Sequence, residues 1–132
     1  MLLKIDRICK SYAAFPNPPT RVLHEVSLSI NHGEALGLVG ESGSGKSTIA
    51  KCLLALTKPE EGSITYDGID VIHAKGEDLR RFRREVQMVF QDPYGSLNPR
   101  MTAEELIGEG LLVHKLESGA QARRTRGAEM ME

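Results

Sequence analysis

The chain is short of several things, and each shortage narrows what it can be. It has almost no net charge: 17 Lys and Arg stand against 18 Asp and Glu, a net of −1. Nothing global therefore points to nucleic acid or to an anionic membrane. The two cysteines, Cys9 and Cys52, fall in no CxxC or His/Cys metal spacing, so free thiols in a cytosolic chain are the economical expectation. The four histidines are scattered and are read as structural or solvated. No apolar run approaches the ~18 residues that would span a bilayer. Lys4, Asp6 and Arg7 charge the first residues, which is unlike a secretory signal. Repeats, linkers and low-complexity tracts are lacking too. What remains is ordinary for a folded protein: 132 residues, 40% hydrophobic and 27% charged. That length makes one domain at most, able to bury roughly two-thirds of its unfolded surface.

The chemistry-bearing segments sit in an α/β pattern. Residues 2–9 and 21–30 alternate apolar and polar side chains and predict strands. Residues 13–20 lie between them, and their three prolines predict a loop. The run Ala35-Leu36-Gly37-Leu38-Val39 suits a strand buried on both faces, as in a parallel sheet. Residues 46–57 carry Ile49, Leu53 and Leu56 at helical spacing, and Pro59 follows. Asp67-Gly68 between residues 63–66 and 69–72 predicts a tight hairpin. Residues 77–85 predict a short exposed helix whose arginines form a solvated face, and residues 86–91 predict a further strand. Residues 92–100, with Pro93, Gly95 and Pro99, read as a loop. Thr102 with Glu105 predicts a capping box opening a helix through Leu112. Ser118 with Gln121 predicts the same for a last, mostly polar helix running to Glu132.

The strongest motif is Gly40-Glu41-Ser42-Gly43-Ser44-Gly45-Lys46-Ser47-Thr48, which fits G-x-x-x-x-G-K-[ST] between a predicted strand and a predicted helix. Glycines let backbone N–H groups converge on phosphate oxygens with no Cβ in the way. The helix N-terminus adds about half a positive charge. In such a loop Lys46 reaches the β- and γ-phosphates and the Ser47 hydroxyl ligates Mg²⁺. A dinucleotide fold is excluded because no G-x-G-x-x-G occupies the strand-to-helix turn. A second motif narrows the class. Gln91 ends a predicted strand and enters Asp92-Pro93-Tyr94-Gly95-Ser96-Leu97-Asn98-Pro99-Arg100. A strand-terminal amide beside a P-loop can hold Mg²⁺ and the attacking water.

Together these two motifs resemble the ATPase subunit of an ATP-binding cassette (ABC) transporter, and the wording around Gln91 is similar to the oligopeptide/dipeptide importer branch, which includes nickel importers. The pattern also fits Gly33-Glu34 before the P-loop and Gly62 to Gly68 after its helix, and it runs from about Leu3 to Glu132. The resemblance implies an α/β P-loop NTPase half-domain with parallel core strands, an N-terminal antiparallel β region and the start of a helical arm. It divides the chain into an ATP-binding core over about residues 1–91 and a Gln-loop with the start of the arm over about residues 92–132. It implies ATP and Mg²⁺ as cofactors, with residues 40–48 and Gln91 at the nucleotide, Ser47 and Gln91 on the metal, and Lys46 and Gln91 in catalysis. Tyr12 would stack on adenine. Residues 94–101 and the helices after them would dock transporter membrane subunits. A second ATPase subunit, identical or not, would complete a dimer on the cytoplasmic face of the cell membrane.

Some parts that this resemblance leads one to expect have no match in these residues. There is no LSGGQ-type signature, no apolar strand ending in Asp-Glu, and no switch histidine after it. Residues 116–123 are superficially similar to a signature but carry Ala120 where the second glycine belongs. The expectation is an N-terminal portion of such an ATPase, inactive in hydrolysis by itself, with the strands that flank the P-loop strand missing and an apolar edge left open. A non-hydrolysing regulatory or interaction fragment, binding nucleotide weakly or not at all, is the alternative.

Overall fold

The computed structural model describes residues 1–14, 16–117 and 119–130. They form two compact units, Met1–Gln87 and Met88–Glu132.

The first unit is built on a four-stranded antiparallel sheet in the order β2-β1-β3-β4. Its strands are β1 (Leu3–Ala14), β2 (Asn17–Ile30), β3 (Glu61–Tyr66) and β4 (Ile69–Asp70). β1 and β2 run further than their alternation predicts, because pairing continues out to Ala14 and Asn17 across what was expected to be a loop. The prolines are accommodated because β2 is the edge strand. Pro18 and Pro19 fall where the register slips between Tyr12 and Ala14, so no ladder donor is lost from a central strand. Phe15 lies outside the described residues.

Two bulges decide which side chains of the hairpin reach the core. Leu3 and Ile5 are buried at odd positions, whereas Ile8 is buried at an even one. Arg7, with φ 47°, is the extra residue that shifts the phase. On β2, Glu25 (φ 48°) supplies the compensating extra residue between Leu23 and Val26. β3 passes the same bulge at Gly62, where φ is +88° and a Cβ would lie 2.4 Å from the Arg7 carbonyl oxygen. Only glycine fits there. The Asp67-Gly68 turn forms as predicted, with positive φ at both residues.

Two helices cover the sheet: α1 (Lys46–Leu53) and α2 (Gly76–Glu85). Ile49 and Cys52 from α1 and Phe82 from α2 join Ile5, Ile8, Leu23 and Ile64 in one core. Phe82 meets Tyr66 edge-on, with centroids 5.5 Å apart. α2 carries Glu77 and Asp78 in its first turn and Arg83 and Arg84 in its last, complementing its dipole. α1 stops short of residue 57. Ala55 takes a left-handed φ of 55°, Leu56 N–H donates to the Lys51 carbonyl at 2.9 Å, and Ala55 N–H to that of Cys52 at 3.1 Å, which closes the helix. Both cysteines are free and buried.

Two predicted strands are not formed. Residues 35–39 and 86–91 belong to no ladder. A strand needs at least one hydrogen-bonded neighbour, and the ladders that form join other segments. Val86 packs against the core, but most other apolar side chains of residues 35–39 and 86–91 stay in water: Val39 is 98% and Val89 93% exposed.

The second unit is helical: α3 (Pro93–Ser96), α4 (Ala103–Val113) and α5 (Ala120–Glu129). α3 is a single turn inside the expected loop, where Gly95 N–H donates to Asp92 Oδ1 at 3.0 Å. The capping box of α4 is complete, since the Thr102 hydroxyl accepts from Glu105 N–H while Glu105 accepts from Thr102 N–H at 2.7 Å. Ser118, predicted to cap the last helix, lies outside the described residues; Gly119 occupies the N-cap and offers no side-chain bond. α5 rests on α4 through buried Gly127, close to Ile107, and through Arg124 donating to Glu104 at 2.6 Å. Among the described residues no helix is long and apolar enough to cross a membrane.

Candidate functional site: the glycine-rich loop at the start of helix α1

Residues 40–45 lead into α1, and the loop turns on Gly43 (φ +84°) and Gly45 (φ +95°). Gly45 is the N-cap. It has no side chain to satisfy the first N–H groups of the helix, so those donors and the positive end of the dipole are left for an anion. Gly45 is also pinned from behind. A Cβ there would come 2.9 Å from the Leu23 side chain and 3.3 Å from the Val22 carbonyl oxygen, so the loop is seated on β2. Sequence reasoning placed Val22 in a strand but did not foresee its backing the loop, because strand alternation says nothing about what lies against an edge.

Lys46 is the first residue of α1, and its ammonium bends back over the loop. Nζ donates to the carbonyl oxygens of Gly40 and Glu41 at 2.7 Å each and to Ser44 Oγ at 3.2 Å. Ser44 N–H donates to the Glu41 carbonyl at 3.2 Å, which tightens the turn. Ser47, the second helical residue, is exposed, and Thr48 is half-buried. The loop, the uncapped helix start, the ammonium and the Ser47 hydroxyl therefore sit within nine consecutive residues. Donor N–H groups, a lysine and one hydroxyl form a set suited to phosphate with a bound divalent cation.

Tyr12 lies on β1 opposite Thr20, two residues from Lys10, whose partner across the ladder is the same Leu23 that touches Gly45. Tyr12 is 40% exposed. The Lys10 ammonium stands 5.6 Å from the ring centroid and is held there by Glu60 at 3.5 Å. Glu60 also accepts from Ser11 N–H and Ser11 Oγ, at 3.0 Å each. The Ser11 backbone N–H above all keeps the Glu60 carboxyl below the usual carboxylate range. Neither Lys10 nor Glu60 was singled out from sequence; their contact spans fifty residues and leaves no local signal.

Gln91 belongs to the second unit, beside Phe90, Asp92, Gly95 and Ser96 around an open cavity. No cluster of three or more His, Cys, Asp or Glu able to hold a metal occurs among the described residues.

This arrangement is that of a P-loop nucleotide-binding domain, and comparison with known proteins agrees. Residues 23–131 match the ABC transporter family, and the chain belongs to it. It is 41% identical over 132 residues to the oligopeptide transport ATP-binding protein OppF of Bacillus subtilis (strain 168), covering 99% of this chain and 43% of that one. It is 43% identical over 114 residues to a protein of Sinorhizobium fredii described as a probable peptide ABC transporter ATP-binding protein, y4tS, covering 82% of this chain and 32% of that one. The chain thus spans about two-fifths or less of the length of these curated relatives. Among solved structures, the ATP-binding cassette MJ0796, a dimer bound to ADP and Pi, superposes with a TM-score of 0.81 at 31% identity. That match covers 97% of this chain and 55% of the other. The fold is accordingly a partial P-loop ATPase cassette with an antiparallel N-terminal sheet.

Proposed function

We propose that this chain is the ATP-binding portion of a peptide-type importer, and that it binds Mg-ATP at residues 40–48. The observation that carries the reading is the loop itself, an uncapped helix start with a lysine ammonium folded into a cradle of backbone groups. In this reading the backbone N–H groups from Glu41 to Thr48 surround the β-phosphate, and Lys46 neutralises the β- and γ-oxygens. Tyr12 stacks on adenine, a contact of about 1–3 kcal/mol where aromatic–base stacking is measured. Ser47 and Gln91 would be the residues to hold Mg²⁺, which would offset charge on the phosphate oxygens. Gln91 orients the attacking water and reports the γ-phosphate to the segment after it.

Within the complete protein, hydrolysis drives uptake of a solute, and the peptide class is supported by the names of the relatives. The partners are transporter membrane subunits and a second ATPase subunit, met on the cytoplasmic face of the membrane. Residues up to about 91 form the nucleotide core, and residues from about 92 open the docking arm.

Equilibrium binding of Mg-ATP to the 132-residue chain, with Lys46→Ala as control, tests the reading. Binding by the wild type that drops by at least an order of magnitude in the variant supports it. A folded chain with no binding sinks the claim that these residues are a nucleotide-binding unit, and leaves a non-hydrolysing interaction fragment in its place.

A further inference from the structure

All three donors of the Lys46 ammonium are engaged within the loop, but its three partners are not equivalent. The two carbonyls, of Gly40 and Glu41, are backbone groups 2.7 Å away whose positions the turn dictates. The third is a side-chain hydroxyl, Ser44 Oγ, and at 3.2 Å it is the longest contact. A neutral hydroxyl at that distance and in reach of solvent is the partner an ammonium gives up most readily. The hydroxyl is nevertheless carefully placed. The Ser44 backbone is tied to Glu41, and its Oγ lies 2.7 Å from where a Cβ on Gly40 would stand. Glycine at 40 thus leaves room for the Ser44 hydroxyl.

We propose that Ser44 is a positioning residue: its hydroxyl holds the Lys46 ammonium inside the loop, and a phosphate oxygen must displace that hydroxyl to engage the lysine. The proposal rests on the nucleotide-binding reading for the identity of the displacing group. No covalent change is involved. The Lys46 N–H leaves Ser44 Oγ for a phosphate oxygen, and the freed hydroxyl turns from acceptor to donor toward the same anion. The two carbonyl contacts persist and keep the ammonium aimed. Ser44 therefore sets how readily the lysine is released, and through it the rate at which phosphate enters.

Competitive labelling of lysine amines, read by peptide mass spectrometry on the full chain, tests this without needing nucleotide. Ser44→Ala should raise labelling of Lys46 about threefold to tenfold, the ratio for one modest hydrogen bond, with Lys51 and Lys58 unchanged. Gly40→Ala, whose Cβ would push the hydroxyl aside, should raise Lys46 labelling in the same direction. Unchanged labelling in Ser44→Ala overturns the proposal, whatever the chain does with ATP. Addition of Mg-ATP to the wild type should protect Lys46, and stopped-flow association should be faster in Ser44→Ala. Raised labelling with no protection by Mg-ATP would leave the held lysine in place and overturn both phosphate exchange and the nucleotide reading.

Discussion

The strands of the antiparallel sheet and the segment 35–39 were both expected to be extended, the first from alternating apolar and polar side chains and the second from a continuous apolar run, and only the first formed ladders. The sheet forms because β1 finds β2 through a hairpin and β3 closes on its other side, so its backbone groups are paired within residues 1–70. Residues 35–39 have no neighbour of that kind, and Leu36, Leu38 and Val39 stand in water. Side-chain pattern identifies a segment suited to a sheet. Pairing decides whether the sheet exists.

The largest expected effect lies on the paired side. Phe82→Ala removes a ring that is 1% exposed and packed on Tyr66, and should cost about 3–5 kcal/mol in urea unfolding of the chain. Gly62→Ala should cost about 2 kcal/mol or more, because the left-handed φ and the 2.4 Å approach to the Arg7 carbonyl leave no room for a methyl group. If it proves neutral, the bulge is not the rigid feature that sets the phase of β1.

Thr102→Ala probes the second unit, where a local cap rather than a sheet does the holding. Loss of the capping box should cost α4 about 1 kcal/mol, read as faster amide exchange in its first turn, with the exchange of β1 unaltered. Glu60 supplies a smaller, pH-dependent effect. Its carboxyl is held below the ordinary value of 4.5 by Ser11 N–H first, then by Ser11 Oγ. The stabilisation is therefore fully present above that ordinary value and is lost as pH falls through the lowered one. The wild-type urea midpoint should drop over that acid window by more than that of Glu60→Gln.

Leu38→Ser should do least, within about 0.5 kcal/mol, because the side chain is already 45% exposed and no ladder depends on it. A loss as large as that of Phe82→Ala would show that residues 35–39 are paired in solution, and would erase the contrast.

Legibility followed distance along the chain. The Asp67-Gly68 turn, the Thr102–Glu105 box and the glycine-rich loop could be read because each is set by residues within a few positions of one another. The prolines at 18 and 19 were misread as a loop because their tolerance depends on β2 being an edge, which is a property of the sheet and not of the segment. The early end of α1 turned on one left-handed residue, Ala55, that no propensity singles out. At the site, Lys46 and Ser47 were evident from the motif, whereas the backing of Gly45 by β2 and the Lys10–Glu60 support of Tyr12 were not.

By itself the sequence determined the α/β class, the glycine-lysine-hydroxyl motif of residues 40–48 and the family. These depend on residue types at short, fixed spacing: glycines that admit positive φ, a lysine one position into a helix, and a hydroxyl after it. Tertiary structure alone decided which apolar segments became strands, where the bulges fell, and which partners the Lys46 ammonium took. Each of those outcomes depends on groups that are distant in the chain coming within hydrogen-bonding or van der Waals reach, or on the fold of a loop that local residue types leave open.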